Sequence, residues 1–213
     1  MPNYAHTFVT ISGDLDERQR FMEQASMPYL ENWAEGRTSD GLMTAESKRV
    51  VTGDFLLGSF VAPTATDLAE SNWYDWNNDN WGTKWEAEPL GELEQCLVEQ
   101  TLLDMTYAFQ TPWCAPEAAL VAMSQQYPSL TFQVRESEEC VDYRTEYLLV
   151  GGKKTVVIPV GEFQSHEEKD HFGILCLCQD DEYLEECGLP YGDCPGLTPM
   201  DYFEVKHASR VGA

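Results

Sequence analysis

Apolar and polar residues alternate along several short segments of the chain, which is the pattern of half-buried β-strands. The first such segment, residues 6–11, is also rich in β-branched side chains. Gly151 and Gly152 separate two later segments and are typical of a tight hairpin turn. The pattern predicts strands at 6–11, 103–109, 130–134, 142–150 and 154–159, with a further buried strand at 172–178.

Helix signals lie between these strands. Asp14 with Glu17 three residues later is typical of a helix start, and Leu15, Phe21, Met22 and Ala25 can then share one face. Spacings of three and four residues between tryptophans predict a helix near residues 72–81 that ends in a turn at 82–84. A third helix is predicted between Pro116 and Pro128.

The remaining segments have weaker patterns. Residues 34–48 are polar and contain glycine, so we expect an exposed loop there. Residues 49–61 have the composition of extended structure interrupted at Gly53 and Gly58.

The order of these elements indicates an α+β fold, because the strands between the helices cannot all be parallel. A ferredoxin-like split β-α-β sheet with helices on one face is the simplest arrangement that accommodates them. We therefore expect a ferredoxin-like domain over residues 1–160, with a Trp-rich insert at 66–86. We expect residues 161–213 to form an acidic C-terminal extension packed on or beside it.

Charge excludes several functions. The 213 residues carry 37 acidic and 13 basic side chains, a net charge of −24 with a pI near 4.2. A nucleic-acid backbone or an anionic membrane requires a basic surface, so direct binding to either is not expected. A content of 43% apolar and 12% aromatic residues indicates a packed core rather than disorder.

Location follows from what the sequence lacks. No segment is long and apolar enough to span a bilayer, and the first residues do not form a secretion signal. We expect a cytoplasmic protein whose seven cysteines are mostly reduced.

Three segments resemble the YubB ferredoxin-like family, also known as the Api92-like proteins of phages and plasmids. They are the start at 1–13, the block at 72–85 with its Trp-Gly-Thr-Lys-Trp string, and residues 107–113 leading into Pro116. The resemblance covers roughly residues 1–160 and implies a ferredoxin-like domain carried by mobile elements. It brings no catalytic residues with it. Genes in that setting often encode inhibitors of host defence, which implies an anti-defence role by association.

The tryptophan block has two interpretations. It can be an aromatic platform that stacks a base, a nucleotide or a sugar. It can also be a helix and turn that pack indoles against the sheet, with Lys84 and asparagines capping backbone groups, and this second interpretation is favoured. The four side chains concerned are Trp73, Trp76, Trp81 and Trp85.

Metal and nucleophile chemistry have little support. The cysteines Cys176, Cys178, Cys187 and Cys194 lack the spacing of common zinc sites, and the first two can instead share one buried strand face. Cys114 lies at a helix entrance, where a thiol pKa can be lowered, but no histidine is marked as its partner. We expect no metal, no cofactor and no catalytic residue. A small hydrolase that depends on carboxylates or on a metal stays an alternative.

Acidic clustering supports a different function. Duplex DNA carries one charge per ~1.7 Å of axis, so rows of carboxylates can occupy a basic DNA channel. We therefore expect a protein that binds a basic host nuclease or CRISPR effector by mimicking DNA. The oligomeric state is left open. The candidate contact residues are Asp180, Asp181, Glu182, Glu185 and Glu186, with Glu92, Glu94, Glu138 and Glu139 as a second group.

Overall fold

The structure is a computed structural model that describes residues 3–33, 36–37, 43–44, 47–91, 93–138, 143–163 and 171–172. For residues 31–49 and Ala69 it describes at most the backbone. The helices are α1 (Leu15–Ala25), α2 (Ala65–Glu70), α3 (Trp73–Trp81) and α4 (Glu117–Gln126), with a 3₁₀ turn at Leu57–Ser59. The strands are β1 (Tyr4–Ser12), β2 (Tyr29–Trp33), β3 (Gly36–Arg37), β4 (Met43–Thr44), β5 (Ser47–Val51), β6 (Glu88–Pro89), β7 (Leu97–Gln100), β8 (Asp104–Pro112), β9 (Thr131–Glu138), β10 (Tyr143–Val150) and β11 (Lys153–Gly161).

Seven strands form one antiparallel sheet in the order β11-β10-β9-β1-β8-β6, with β7 also paired to β8. Its register aligns apolar residues across four strands: Tyr107 pairs with Val9, Val9 with Val134, and Val134 with Tyr147. All four are fully buried. The alternation predicted along these strands therefore builds one continuous apolar face.

Helices α1 and α4 contribute the buried residues that join this face in the core. Phe21 of α1 stacks on Phe60 at 4.9 Å and meets Tyr127 edge to face, while Leu120 and Met123 of α4 are fully buried. The α+β, ferredoxin-like class predicted from the sequence is confirmed. Burial of this aromatic-rich layer supplies the main stabilisation of the fold.

The predicted start of α1 is confirmed, but its predicted apolar face is partly wrong. The Asp14 side chain accepts from the backbone N–H groups of Asp16 and Glu17 and caps the helix. Leu15 is 50% exposed, whereas Arg18 is 2% exposed. The Arg18 guanidinium donates to the carbonyls of Gly13, Thr101 and Leu102, so carbonyls of the adjoining loops compensate its burial.

The tryptophan block folds as predicted. Helix α3 is capped by the Asn72 side chain and ends at Gly82, which has φ +82°. A Cβ at Gly82 would also lie 3.3 Å from the backbone nitrogen of Ala118 in α4. Glycine is required there both for the left-handed conformation and for the close approach of the two helices.

The weakly patterned segments differ most from prediction. Within 34–48, where we expected a loop, β3 pairs with β4 and β5 begins at Ser47 to pair with β2. Residues 49–61 were predicted to be extended, but strand β5 ends at Val51 and a 3₁₀ turn follows at Leu57–Ser59. Strands β6 and β7 were not predicted, because they are only two and four residues long, too short to show an alternating pattern, and both pair with β8.

No helix in the described ranges is long and apolar enough to cross a membrane. The predicted strand at 172–178 lies, apart from Phe172, outside the described residues.

Candidate functional site

A cavity of about 440 Å³ opens between the segment that follows β5 and the segment around β6. Four carboxylates line it, and none of its described lining residues is Lys or Arg. Because the cavity adjoins the edge of the main sheet, the backbone of β6 and of the 50–56 segment fixes its shape. The lining acids are Asp54, Glu86, Glu88 and Glu94.

Two of these carboxylates are held by backbone donors. Asp54 accepts from the N–H groups of Cys96 at 3.0 Å and Leu97 at 2.7 Å, which ties the loop after β5 to β7. Glu86 is 9% exposed and accepts from Leu57 N–H at 2.6 Å and from the Tyr29 hydroxyl at 2.8 Å. Both therefore hold the cavity wall in place.

Burial and hydrogen bonding act in opposite directions on Glu86. Its removal from water raises the pKa, while the donors at Leu57, Tyr29, Gly58 and Ala87 lower it. Burial is the larger influence, so the pKa of Glu86 lies above its ordinary value. Burial, together with the nearby carboxylates of Asp54 and Glu86, raises the pKa of the Cys96 thiol.

The other two cavity carboxylates face solvent. Glu88 is exposed in β6, and Glu94 is exposed in the segment before β7. Glu99, farther along the same sheet edge in β7, is also exposed. A cationic group that entered the cavity from this edge would meet Glu88 and Glu94 before the structural carboxylates.

The predicted acidic contact residues are not brought together by the described structure. Glu94 is exposed at the cavity, but Glu138 lies within β9 and is 3% exposed, so its carboxylate is not available to a partner. Glu138 is the last residue of β9 and pairs with Tyr143 of β10. The remaining predicted acids lie outside the described residues: Glu92, Glu139, Asp180, Asp181, Glu182, Glu185 and Glu186.

The four predicted tryptophans divide into two groups. Trp76 and Trp81 are buried, pack edge to face at 5.7 Å and belong to the core, and the Trp81 indole N–H donates to the Val61 carbonyl at 2.8 Å. Trp73 and Trp85 are half-buried. The packing interpretation therefore holds for Trp76 and Trp81, which cannot serve as a stacking platform.

A second cluster combines Lys84 with three aromatic rings. The Lys84 ammonium lies 5.0 Å from the ring centroid of Trp85, 5.4 Å from Tyr74 and 5.5 Å from Trp113. Trp113 is 50% exposed and has a φ of +63°. This cluster was not predicted, because no short-range sequence pattern connects residues 74–85 to residue 113.

A helix entrance can lower the pKa of a thiol, but the opposite effect is found at Cys114. Burial of the thiol and the nearby carboxylates of Glu136 and Glu117 raise its pKa rather than lower it. Its Sγ donates to the Gly82 carbonyl at 3.2 Å, which gives it a structural contact. In the described part of the chain, no three His, Cys, Asp or Glu residues are placed to hold a metal ion. The cysteines considered for zinc lie outside it.

The fold and a family model agree on the class of fold to which the chain belongs. An antiparallel sheet with helices packed into its core defines an α+β protein of ferredoxin-like class. The family model described as "Ferredoxin-like domain in Api92-like protein" matches residues 80–176. This agrees with the resemblance seen in the sequence.

A solved structure supports the fold independently. The crystal structure of the protein api92 from Yersinia pseudotuberculosis matches with a TM-score of 0.53 and 8% sequence identity. The match covers 78% of this chain and 99% of that one. At this identity the likeness concerns the fold alone. No curated protein matches the chain.

Proposed function

We propose that the protein binds a basic partner protein through its acidic surface and thereby blocks the partner's access to DNA. The observation that carries the proposal is the cavity at the sheet edge, which four carboxylates line and to which no described Lys or Arg contributes. A net charge of −24 adds a field that attracts a cationic surface over a longer range.

The class of partner follows from this charge distribution. A protein channel that holds DNA is rich in Lys and Arg, and exposed carboxylates can take the place of phosphates there. Together with the resemblance to mobile-element proteins, this favours a phage or plasmid anti-defence protein that acts in the cytoplasm of an infected or recipient bacterial cell. Its targets would be a host DNA-handling nuclease or a CRISPR effector.

The experiment measures binding to a panel of purified nucleases and CRISPR effectors by biolayer interferometry, with salt and duplex DNA varied. We expect binding to weaken steeply with added salt and to be displaced by DNA. A partner bound equally well at low and high salt, or bound together with DNA, would contradict the proposal.

Matched variants locate the surface. Glu88→Gln with Glu94→Gln should weaken binding at least about fivefold, mainly through slower association. Asp16→Asn with Glu23→Gln removes the same charge from exposed positions of α1 and serves as the control. If the two double variants lose affinity equally, the effect is one of net charge and the cavity is not the contact surface.

The C-terminal acids need a separate variant, in which Asn and Gln replace Asp180, Asp181, Glu182, Glu185 and Glu186. We expect this variant to bind the partner more weakly as well. If this variant still inhibits the partner fully, the C-terminal acids are not part of the contact surface.

A further inference from the structure

The cluster around Lys84 is an aromatic surface with a cation at its centre. Tyr74 and Trp85 are half-buried, and Trp113 presents half of its surface to solvent. In the described part of the chain the Lys84 ammonium forms no ion pair, although acids outnumber bases almost threefold. Its described contacts are the three rings, at 5.0 to 5.5 Å.

Trp113 is held in this place at a conformational cost. A positive φ is disfavoured for every residue with a Cβ and is rare for a bulky one. The backbone is nevertheless fixed, because Trp113 N–H donates to the Asn3 carbonyl at 2.9 Å and Cys114 N–H to the Pro112 carbonyl at 2.9 Å. A strained, exposed tryptophan on a rigid backbone is a preorganised contact surface.

Two further bonds join the segment that carries Lys84 to the segment that carries Trp113. The Thr83 hydroxyl donates to the Pro112 carbonyl at 3.4 Å, and Cys114 Sγ donates to the Gly82 carbonyl at 3.2 Å. These bonds hold the two segments side by side, and Lys84 and Trp113 are neighbours for that reason.

We propose that Tyr74, Lys84, Trp85 and Trp113 form a binding site for a nucleoside monophosphate. The base stacks on the exposed Trp113 ring, and the phosphate pairs with the Lys84 ammonium. The protein's net charge of −24 repels a polyanion, which selects a mononucleotide over a nucleic-acid strand. This site is separate in residues and in ligand from the proposed protein-binding surface.

The test uses calorimetric titration of the full-length protein with the four ribonucleoside 5′-monophosphates. We expect saturable binding, with purines tighter than pyrimidines because their rings cover more of the indole. The matching nucleoside, which lacks the anion, and ribose 5-phosphate, which lacks the base, should each bind at least about fivefold more weakly.

Variants assign the two contacts. Trp113→Gly removes the ring and suits the positive φ, so the protein stays folded while affinity falls at least about fivefold. Lys84→Gln removes the anion contact, and Lys153→Gln removes the same charge from an exposed position of β11 as its control. We expect Lys84→Gln to lose affinity and Lys153→Gln to keep it.

Several results would overturn the proposal. They are the absence of saturable binding up to millimolar nucleotide, equal binding of ribose 5-phosphate, and tighter binding of a single-stranded oligonucleotide than of the mononucleotide. Unchanged affinity in a folded Trp113→Gly protein, as judged by its thermal unfolding, would do the same.

Discussion

Replacement of Glu86 by alanine tests whether a buried carboxylate holds the cavity wall together. In the native protein this side chain accepts from the N–H groups of Leu57 at 2.6 Å and Gly58 at 3.2 Å, both buried bonds. It also accepts from the Tyr29 hydroxyl and from Ala87 N–H. The substitution removes all four acceptor contacts at once.

The cost can be worked from the two buried N–H groups. Each unsatisfied buried donor costs about 1–3 kcal/mol, so the donors of Leu57 and Gly58 together cost about 2–6 kcal/mol. Water can enter from the adjoining cavity of about 440 Å³ and satisfy part of this demand. We therefore expect Glu86→Ala to lower the free energy of unfolding by about 3 kcal/mol.

Urea denaturation followed by circular dichroism measures this change. With a slope of about 2 kcal/mol per molar urea, the transition midpoint should fall by about 1.5 M. Glu88→Ala is the control, because Glu88 is exposed and its loss should change the free energy by less than about 0.5 kcal/mol. A Glu86→Ala midpoint indistinguishable from that of Glu88→Ala would refute the structural role of Glu86.

The remaining predictions concern pH, the indole core and the β10–β11 turn. Because the pKa of Glu86 is raised in the folded state, the folded protein keeps this proton to a higher pH than the unfolded chain. The stability of wild type relative to Glu86→Gln should therefore fall as the pH rises above 4.5, the ordinary value for a glutamate. A pH-independent difference in urea unfolding would contradict this. Trp81→Phe should cost about 2–3 kcal/mol of stability in the same assay, because it removes a buried indole hydrogen bond and leaves a void. Trp73→Phe should cost less, because Trp73 is only half-buried. Gly152→Ala should cost at least about 1 kcal/mol of stability, because Gly152 has a φ of +80° and a new Cβ would overlap the Gln125 side chain. Gly91→Ala measures the backbone effect alone, since Gly91 has a φ of +58° and open space around it. An equal loss of stability at both positions would argue against the overlap.

Local signals in the sequence predicted the elements whose geometry depends on near neighbours. Asp14 caps α1 through N–H groups two and three residues away, and Gly82 ends α3 with the left-handed backbone that its residue type favours. The glycine pair at 151–152 has positive φ at both residues, as a tight hairpin requires. Side-chain alternation then specified which face of β1 and β9 is buried.

Pairing between distant segments decided the rest of the fold. Strands β6 and β7 are too short to be predicted from their own residues, and they are strands because they pair with β8. Burial of some charged residues also depends on the packing of distant segments. Glu138 and Arg18 are buried, although a sequence pattern assigns charged residues to the surface. Their enclosure depends on which strands and loops lie around them.

Both candidate sites belong to this second category. Glu86 meets the N–H of Leu57 across 29 positions of sequence and the hydroxyl of Tyr29 across 57. Lys84 meets the ring of Trp113 where Thr83 bonds to Pro112 and Cys114 to Gly82. The sequence by itself determined the charge of the protein, its class of fold and the turns that its glycines make. Only the tertiary structure decided which carboxylates and which rings come together, because such contacts depend on how distant segments pack and not on the residues beside them.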